Sequence, residues 1–255
     1  RLGHFYRAIG LIVLEGYGLT ETTAPVTIGR PDKLKIGKVG FPLPGCAVAI
    51  ADDGEIWIKG SNVLKGYWKN PTATKSTMEG EWFKTGDIGT LDEDGFVAIT
   101  GRKKELIITA GGKNVAPALL EDPLRANPLV SQAVVIGDAK PFVSVLVSLD
   151  EEMLPMWLEN NGVKDKMTLE QAKSNPIVLA EVSKAIEEVN KDFSTAESIR
   201  KFAILPQDLT EKSGHLTPSL KIKRSVVTED YAHLIDDIYA DSAKSTCHNI
   251  GDYKI

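Results

Sequence analysis

Apolar positions recur at helical spacing most clearly between Pro176 and Phe193, where Val178, Val182, Ile186, Val189 and Phe193 share one face. Asn175 stands in front of the run as a cap, and Pro176 occupies the first helical position, where its missing N–H is tolerated. The pattern predicts an amphipathic helix from Pro176 to Phe193. Other apolar runs in this half are shorter and richer in β-branched residues. "ELIIT", "VSQAVVIGD" and "FVSVLVSLD" read as three strands. A helix is predicted near Ala118 to Ala126, although Pro123 inside it costs about 3 kcal/mol and implies a kink or a later start. Further helices are expected from Glu151 to Asn160 and over "VVTEDYAHLIDDIYA", with a strand at "KFAIL" between them.

The first half reads differently. A short helix opens the chain at "RLGHFYRA", and "IGLIVLEGYG" has the pattern of a buried strand running into a glycine-rich turn. In "AVAIADDGEIWIKG" two apolar runs flank Asp52-Asp53-Gly54, a hairpin signal. "KNPTATKST" predicts a short helix capped by Asn70 with Pro71 first. "EWFKTGDIGTLDEDGFVAITGR" adds strands, with Asp94-Gly95 at a hairpin tip. The β-rich pattern gives way to an α+β one at Gly101 to Lys104, which marks a domain boundary. The polar last 15 or so residues are expected to fray. Because Arg1 opens on a helix with no capping residue before it, the chain reads as a piece of a longer protein.

Composition narrows the picture a little. The 255 residues suffice for one large or two modest domains. A net charge of −5 argues against a dedicated nucleic-acid surface. Cys46 and Cys247 lie far apart and suit neither a metal site nor a disulfide framework, which favours a reducing, cytoplasmic setting. No apolar run approaches the roughly 18 residues of a spanning helix, so no transmembrane segment is expected. Peripheral membrane contact and oligomeric state stay open.

Candidate chemistry falls in four clusters. In "EGYGLTETTAP", Tyr17 lies between two glycines where backbone can approach a ligand closely. Thr20 adds a hydroxyl and Glu21 a carboxylate suited to a hard cation such as Mg²⁺; a solvated turn with a packing tyrosine is the alternative. In "FKTGDIG", Asp87 follows a glycine at a strand end, where a carboxylate can accept from both hydroxyls of a ribose diol, or can simply form a Thr-Gly-Asp turn. "GRKKELIITAGGKNVAP" sets Arg102, Lys103 and Lys104 at the boundary, followed by Gly111-Gly112. Three adjacent cations are commonly a solvated face, yet a hinge needs only one or two residues at such a junction. In "LTPSLKIKR", Lys221, Lys223 and Arg224 follow a loop containing Ser213-Gly214 and Pro218. A lysine there is either a solvated charge or a mobile cation delivered to an anionic site.

The order and spacing of these clusters, with "GEIWIKGSNVLKGYWKNP", resemble the adenylate-forming superfamily of acyl-CoA synthetases, adenylation domains and luciferases. "GYWKNPTATKSTMEGEWFKTGDIGTLDEDGFVAITGRKKELIITAGGKNVAP" and "LTPSLKIKR" are most similar to bacterial long-chain fatty-acid–CoA ligases, and the resemblance runs from Arg1 to about Tyr239. It implies an α+β multidomain protein: residues 1–101 as the end of a large, mostly β, barrel-like AMP-binding domain, 102–240 as a small mobile α+β lid hinged at 102–104, and 241–255 as a polar tail. It implies joining a fatty acid to AMP from Mg·ATP, then displacement of AMP by coenzyme A. On that resemblance Tyr17 stacks on adenine beside Gly18, Thr20 meets the α-phosphate, Glu21 helps hold Mg²⁺, and Asp87 and Arg102 bind the ribose side. Lys104 matches the hinge, Lys221 the lysine of the first half-reaction, and Gly111-Gly112 a loop leaving room for pantetheine.

The family's Ser/Thr/Gly-rich phosphate loop and most of the acyl tunnel are absent here, so this chain alone is not expected to complete the reaction. A synthetase for a shorter or aryl acid, an enzyme loading a carrier protein, and a non-catalytic domain of the same fold are the competing readings. Retention of Lys221 with the nucleotide residues argues against the last.

Overall fold

The computed structural model describes residues 2–163, 167–240 and 247–253. Its contacts divide the chain into two compact units, Arg1–Glu105 and Leu106–Ile255. The architecture is α+β, with the first unit mostly β.

The first unit runs through α1 (Leu2–Ala8), β1 (Gly16–Leu19), a 3-10 turn at Thr20–Thr22, β2 (Ala24–Ile28) and β3 (Phe41–Pro42). These strands form an antiparallel sheet in the order β1-β2-β3. There follow β4 (Cys46–Ile50), β5 (Glu55–Gly60), α2 (Pro71–Thr77), β6 (Met78–Glu79), β7 (Trp82–Leu91) and β8 (Val97–Arg102), and then a 3-10 turn at Lys103–Glu105. They build a second sheet, β4-β5-β7-β6, with β8 also paired to β7. The hairpin expected around Asp52-Asp53-Gly54 joins β4 to β5. Asn70 caps α2 as expected, its side-chain oxygen accepting the Ala73 N–H at 3.0 Å. Tyr17, Val26, Ile56, Ile58 and Val97 form a shared core.

The apolar run before Tyr17 is a correction. No strand forms over residues 11–15; β1 begins only at Gly16. Leu11, Ile12, Val13 and Leu14 are between 38 % and 61 % exposed. A strand needs a ladder partner and a covered face, and among the described residues this run's backbone bonds are confined to its two ends, Leu11 N–H donating to Tyr6 O and Gly29 N–H donating to Glu15 O.

The second unit contains β9 (Ile107–Ile108), β10 (Asn114–Val115), α3 (Pro117–Leu124), β11 (Val130–Ile136), β12 (Val143–Leu149), α4 (Leu154–Asn160), α5 (Leu169–Ala172), α6 (Pro176–Asn190), β13 (Ile199–Ile204), α7 (Arg224–Asp230), α8 (Ala232–Tyr239) and β14 (His248–Asn249). Its main sheet has the order β11-β12-β13-β14, and β9 pairs with β10 in a separate two-stranded sheet. The β12–β13 pair is parallel, and the crossover it requires carries α4, α5 and α6. Alternate residues of the sheet feed two cores. Val135, Val145, Val147 and Phe202 pack with α3, α4 and α6, while Val134, Leu146 and Ala203 pack with α7 and α8. With both faces covered, every residue of β12 is buried, which explains its near-continuous apolar sequence.

Several boundaries move. The helix holding Pro123 starts earlier than expected, at Pro117, and stops at Leu124, so the proline falls in its last turn where few bonds are lost. α6 keeps its Asn175 cap but ends at Asn190. The terminal helix breaks at Tyr231, whose backbone leaves helical geometry while its buried ring lies 5.6 Å from His215. "ELIIT" yields only the two-residue β9, and the helix expected from Glu151 begins at Leu154.

The expected fraying of the tail is also corrected in part, residues 241–246 and 254–255 lying outside the described residues. β14 adds an edge strand to β13, with His248 opposite Phe202. Burial pushes the His248 imidazole down, against a smaller opposing pull from Asp252. The unfolded chain protonates at the ordinary value near 6.5, but the folded one resists until lower pH. Stability from docking β14 is therefore full above about pH 6.5 and lost as pH falls through the depressed value. The protection of the β14 amides against hydrogen exchange, taken relative to the intrinsic rate at each pH, should fall between about pH 7 and pH 5. His248→Gln should abolish that dependence; an unchanged pH profile in the variant would assign it elsewhere.

Candidate functional site

The register of β7 on β8 sets Asp87 directly opposite Arg102, so their side chains share a face. Arg102 Nε lies 3.0 Å from Asp87 Oδ1. The other oxygen, Oδ2, accepts the Tyr17 hydroxyl at 2.6 Å. Three residues taken from separate sequence clusters thus form one group, joined by a hydrogen bond and an ion pair. Asp87 is only 3 % exposed and Tyr17 8 % exposed. Burial, reinforced by the neighbouring carboxylate, holds the Tyr17 phenol well above its usual range, so it stays a proton donor to Asp87. A ribose diol that reaches Asp87 must share or displace one of these bonds.

Tyr17 sits at a bulge in β1. A Cβ on Gly18 would stand 2.3 Å from the Ala24 carbonyl oxygen, so the residue after Tyr17 must be glycine for β2 to approach. The turn that follows is tight: Thr23 and Ala24 both take positive φ. Thr22 holds it, its hydroxyl oxygen accepting the Leu19 N–H at 2.9 Å.

These groups face an open cavity of about 1170 Å³ in the first unit. Tyr17, Gly18, Thr20, Glu21, Arg102 and Lys104 line it, and Asp87 is the one predicted site residue of this unit that does not. The Thr85 and Gly86 beside Asp87 do line it. Thr85 braces the turn by donating to Ile56 O at 2.7 Å and accepting the Asp87 N–H at 3.0 Å.

The basic triplet is not a uniform solvated face. Arg102 pairs with Asp87, whereas Lys103 Nζ bridges Asp53 Oδ2 at 2.6 Å and Glu55 Oε2 at 2.9 Å. The buried Glu55 also accepts the Gly86 N–H at 2.8 Å, which ties Lys103 to the Asp87 turn. Those contacts raise the Lys103 ammonium, the Asp53 bond most, and keep it charged. Lys104 is exposed and makes no ion pair among the described residues.

Glu21 is half-buried and accepts the Tyr67 hydroxyl on Oε1 at 3.0 Å. Its second oxygen makes no hydrogen bond among the described residues. No group of three or more His, Cys, Asp or Glu side chains among the described residues is placed to hold a metal. One carboxylate beside an exposed threonine suits Mg²⁺ arriving with phosphates and water, and does not suit a resident all-protein metal site.

Lys221 and Gly111-Gly112 belong to the second unit. Lys221 is exposed near the tip of a tight loop closed by the Leu216–Ile222 bridge. Thr217 N–H donates to Lys221 O at 2.8 Å, and Lys221 N–H to Thr217 Oγ1 at 3.1 Å. Arg224, grouped with Lys221 by sequence, is no free cation: it pairs with the buried Glu121 at 2.7 Å. Gly111 and Gly112 form the turn between β9 and β10; a Cβ on Gly112 would meet nothing within 4 Å, but its φ of +77° favours glycine.

Sequence reading missed Glu55, Tyr67 and Glu121. The acids at Asp52, Asp53 and Glu55 facing a later basic triplet were a legible charge complement; Tyr67 and Glu121 carried no local signal.

Comparison with known proteins places these features in context. A family model described as AMP-binding enzyme matches residues 1–68, and one described as AMP-binding enzyme C-terminal domain matches residues 104–243. The chain is 54 % identical over 239 residues to the long-chain-fatty-acid–CoA ligase FadD15 of Mycobacterium bovis, covering 94 % of this chain and 40 % of that protein. It is similar to the O-succinylbenzoate coenzyme A synthetase MenE of Bacillus subtilis in complex with AMP, at a TM-score of 0.65 and 27 % identity over 88 % of this chain and 42 % of that one. The same synthetase with ATP and magnesium ion gives a TM-score of 0.64 at 27 % identity, over 88 % of this chain and 43 % of that one. The chain spans about 40 % of the length of the FadD15 relatives it matches.

Proposed function

The chain belongs to the AMP-binding, adenylate-forming enzymes, and from that premise we propose that it serves ATP-dependent activation of a long-chain fatty acid to acyl-AMP, followed by thioester formation with coenzyme A. The observation that carries the reading is the convergence of Tyr17, Asp87 and Arg102 in one group beside Thr20 and Glu21. The 54 % identity to a long-chain-fatty-acid–CoA ligase supports the acid class.

In this reading Tyr17 offers its ring to adenine, and Asp87 with Arg102 receives the ribose. Thr20 meets the α-phosphate. The fatty-acid carboxylate attacks that phosphorus, forming a C–O–P anhydride and releasing pyrophosphate. Two anions meet in this step, so fixed positive charge must gather at the α-phosphate. Lys221 delivers it from the lid. Mg²⁺, when bound by Glu21 together with the nucleotide phosphates, supplies further positive charge there. The thiol of coenzyme A then attacks the acyl carbon, and AMP leaves. Between the steps the lid turns about Lys104, withdrawing Lys221 and bringing the Gly111-Gly112 turn inward. No described helix is long and apolar enough to cross a membrane, and a cytoplasmic enzyme meeting its lipid substrate at the membrane surface accords with this chemistry.

ATP–pyrophosphate exchange in the whole protein, with acids of graded length and then coenzyme A, tests the proposal. Exchange should be strongest with long acyl chains and should be followed by thioester release. Exchange confined to short or aryl acids overturns the substrate class, and no exchange with any acid favours a binding module.

A further inference from the structure

Glu21 is held by a loop far from it in sequence. Between β5 and α2, residues 61–69 pass the turn at Thr20–Thr22 and bond to it repeatedly. Asn62 Nδ2 donates to Thr22 O at 2.9 Å, and Leu64 N–H donates to Glu21 O at 2.7 Å. The Thr23 hydroxyl donates back to Asn62 O at 3.2 Å. These bonds fix the backbone that carries Glu21. Among the described residues only Tyr67 reaches the carboxylate, donating to Oε1 at 3.0 Å.

Tyr67 is itself anchored. Its N–H donates to Thr74 Oγ1 at 2.9 Å, in the middle of α2, and the same hydroxyl donates to Asn70 O at 3.0 Å. The capped helix therefore sets the position of Tyr67, and Tyr67 sets that of the carboxylate. We propose that Tyr67 is the positioning residue for Glu21, occupying Oε1 so that Oε2 is presented to the cation that accompanies the nucleotide.

The physical reason is pre-organisation. A free glutamate samples several rotamers and must lose that freedom to ligate a cation. A donor fixed on one oxygen removes most of that cost in advance, as outer-shell partners of metal ligands commonly do. An ordinary structural hydrogen bond at the same place would affect folding, and would leave cation dependence alone. The inference rests on the reading of Glu21 as a cation ligand, and the test separates the two.

Tyr67→Phe keeps the ring and its packing and removes only the hydroxyl. ATP binding by the whole protein is measured calorimetrically across a Mg²⁺ series, and AMP binding is measured without metal; Glu21→Gln is carried alongside. The Mg²⁺ needed for half-maximal ATP binding should rise about 10-fold in Tyr67→Phe, with metal-free AMP affinity unchanged. An unmoved Mg²⁺ requirement in Tyr67→Phe, with a raised one in Glu21→Gln, overturns the positioning role and leaves Glu21 as ligand. Equal weakening of AMP and Mg·ATP binding makes Tyr67 a purely structural residue and also overturns it. A requirement unmoved by either substitution overturns the reading of Glu21 and this inference with it.

Discussion

Lys221→Ala is expected to slow acyl-adenylate formation by about 10²–10³-fold, while thioester formation from supplied acyl-adenylate and coenzyme A proceeds at nearly the parent rate. The asymmetry follows from where negative charge develops. Carboxylate attack concentrates charge at the α-phosphate and needs a cation there. In the proposed cycle, thiol attack occurs at the acyl carbon after the lid has turned. The exposed lysine on its braced loop has no ion pair to break among the described residues, so its removal should leave the fold intact. Rapid-quench measurement of the two half-reactions decides the matter. Equal loss in both would count against delivery of this cation by the lid.

Arg224→Leu should destabilise the second unit by about 3–5 kcal/mol near neutral pH, seen as a lower urea midpoint. Arg224 Nη2 donates to Glu121 Oε1 and Oε2 at 2.7 and 3.0 Å, and Nη1 to Val135 O at 2.9 Å. Glu121 also accepts the Val135 N–H at 2.7 Å, so the pair ties α3, β11 and α7 together. Burial pushes the Glu121 carboxyl up, and Arg224 is the main opposing influence. Without the guanidinium the carboxyl rises further. A raised folded-state value favours folding below the ordinary carboxylate range and loses that contribution as pH rises through the raised value. The deficit of the variant should therefore be largest near pH 7 and shrink toward about pH 5. The double substitution Glu121→Leu with Arg224→Leu should recover much of the loss, since two apolar groups replace an unpaired charge. A deficit independent of pH would mean that lost packing, and not the stranded carboxylate, is responsible.

How much of this was legible beforehand varied with the range of the interaction. The caps at Asn70 and Asn175 and the hairpin at Asp52-Asp53-Gly54 were readable because their causes lie within a few residues. The run before Tyr17 misled, since an apolar stretch reads the same whether or not a neighbouring strand is there to pair with it. The Glu121–Arg224 pair had no sequence signal at all, because its members come from α3 and α7.

By itself the sequence determined local form and chemical inventory: which segments turn, which are capped, and which carry a tyrosine, a carboxylate or a lysine in family order. Tertiary structure alone decided the partnerships. Tyr17 and Asp87 are 70 residues apart, Tyr67 and Glu21 are 46 apart, and Arg224 and Glu121 are 103 apart. Strand register and helix packing bring each pair within bonding distance. The physical reason is that propensity and capping energies act along the chain over about one helical turn, whereas a buried carboxylate acquires its partner only when whole sheets and helices close around it.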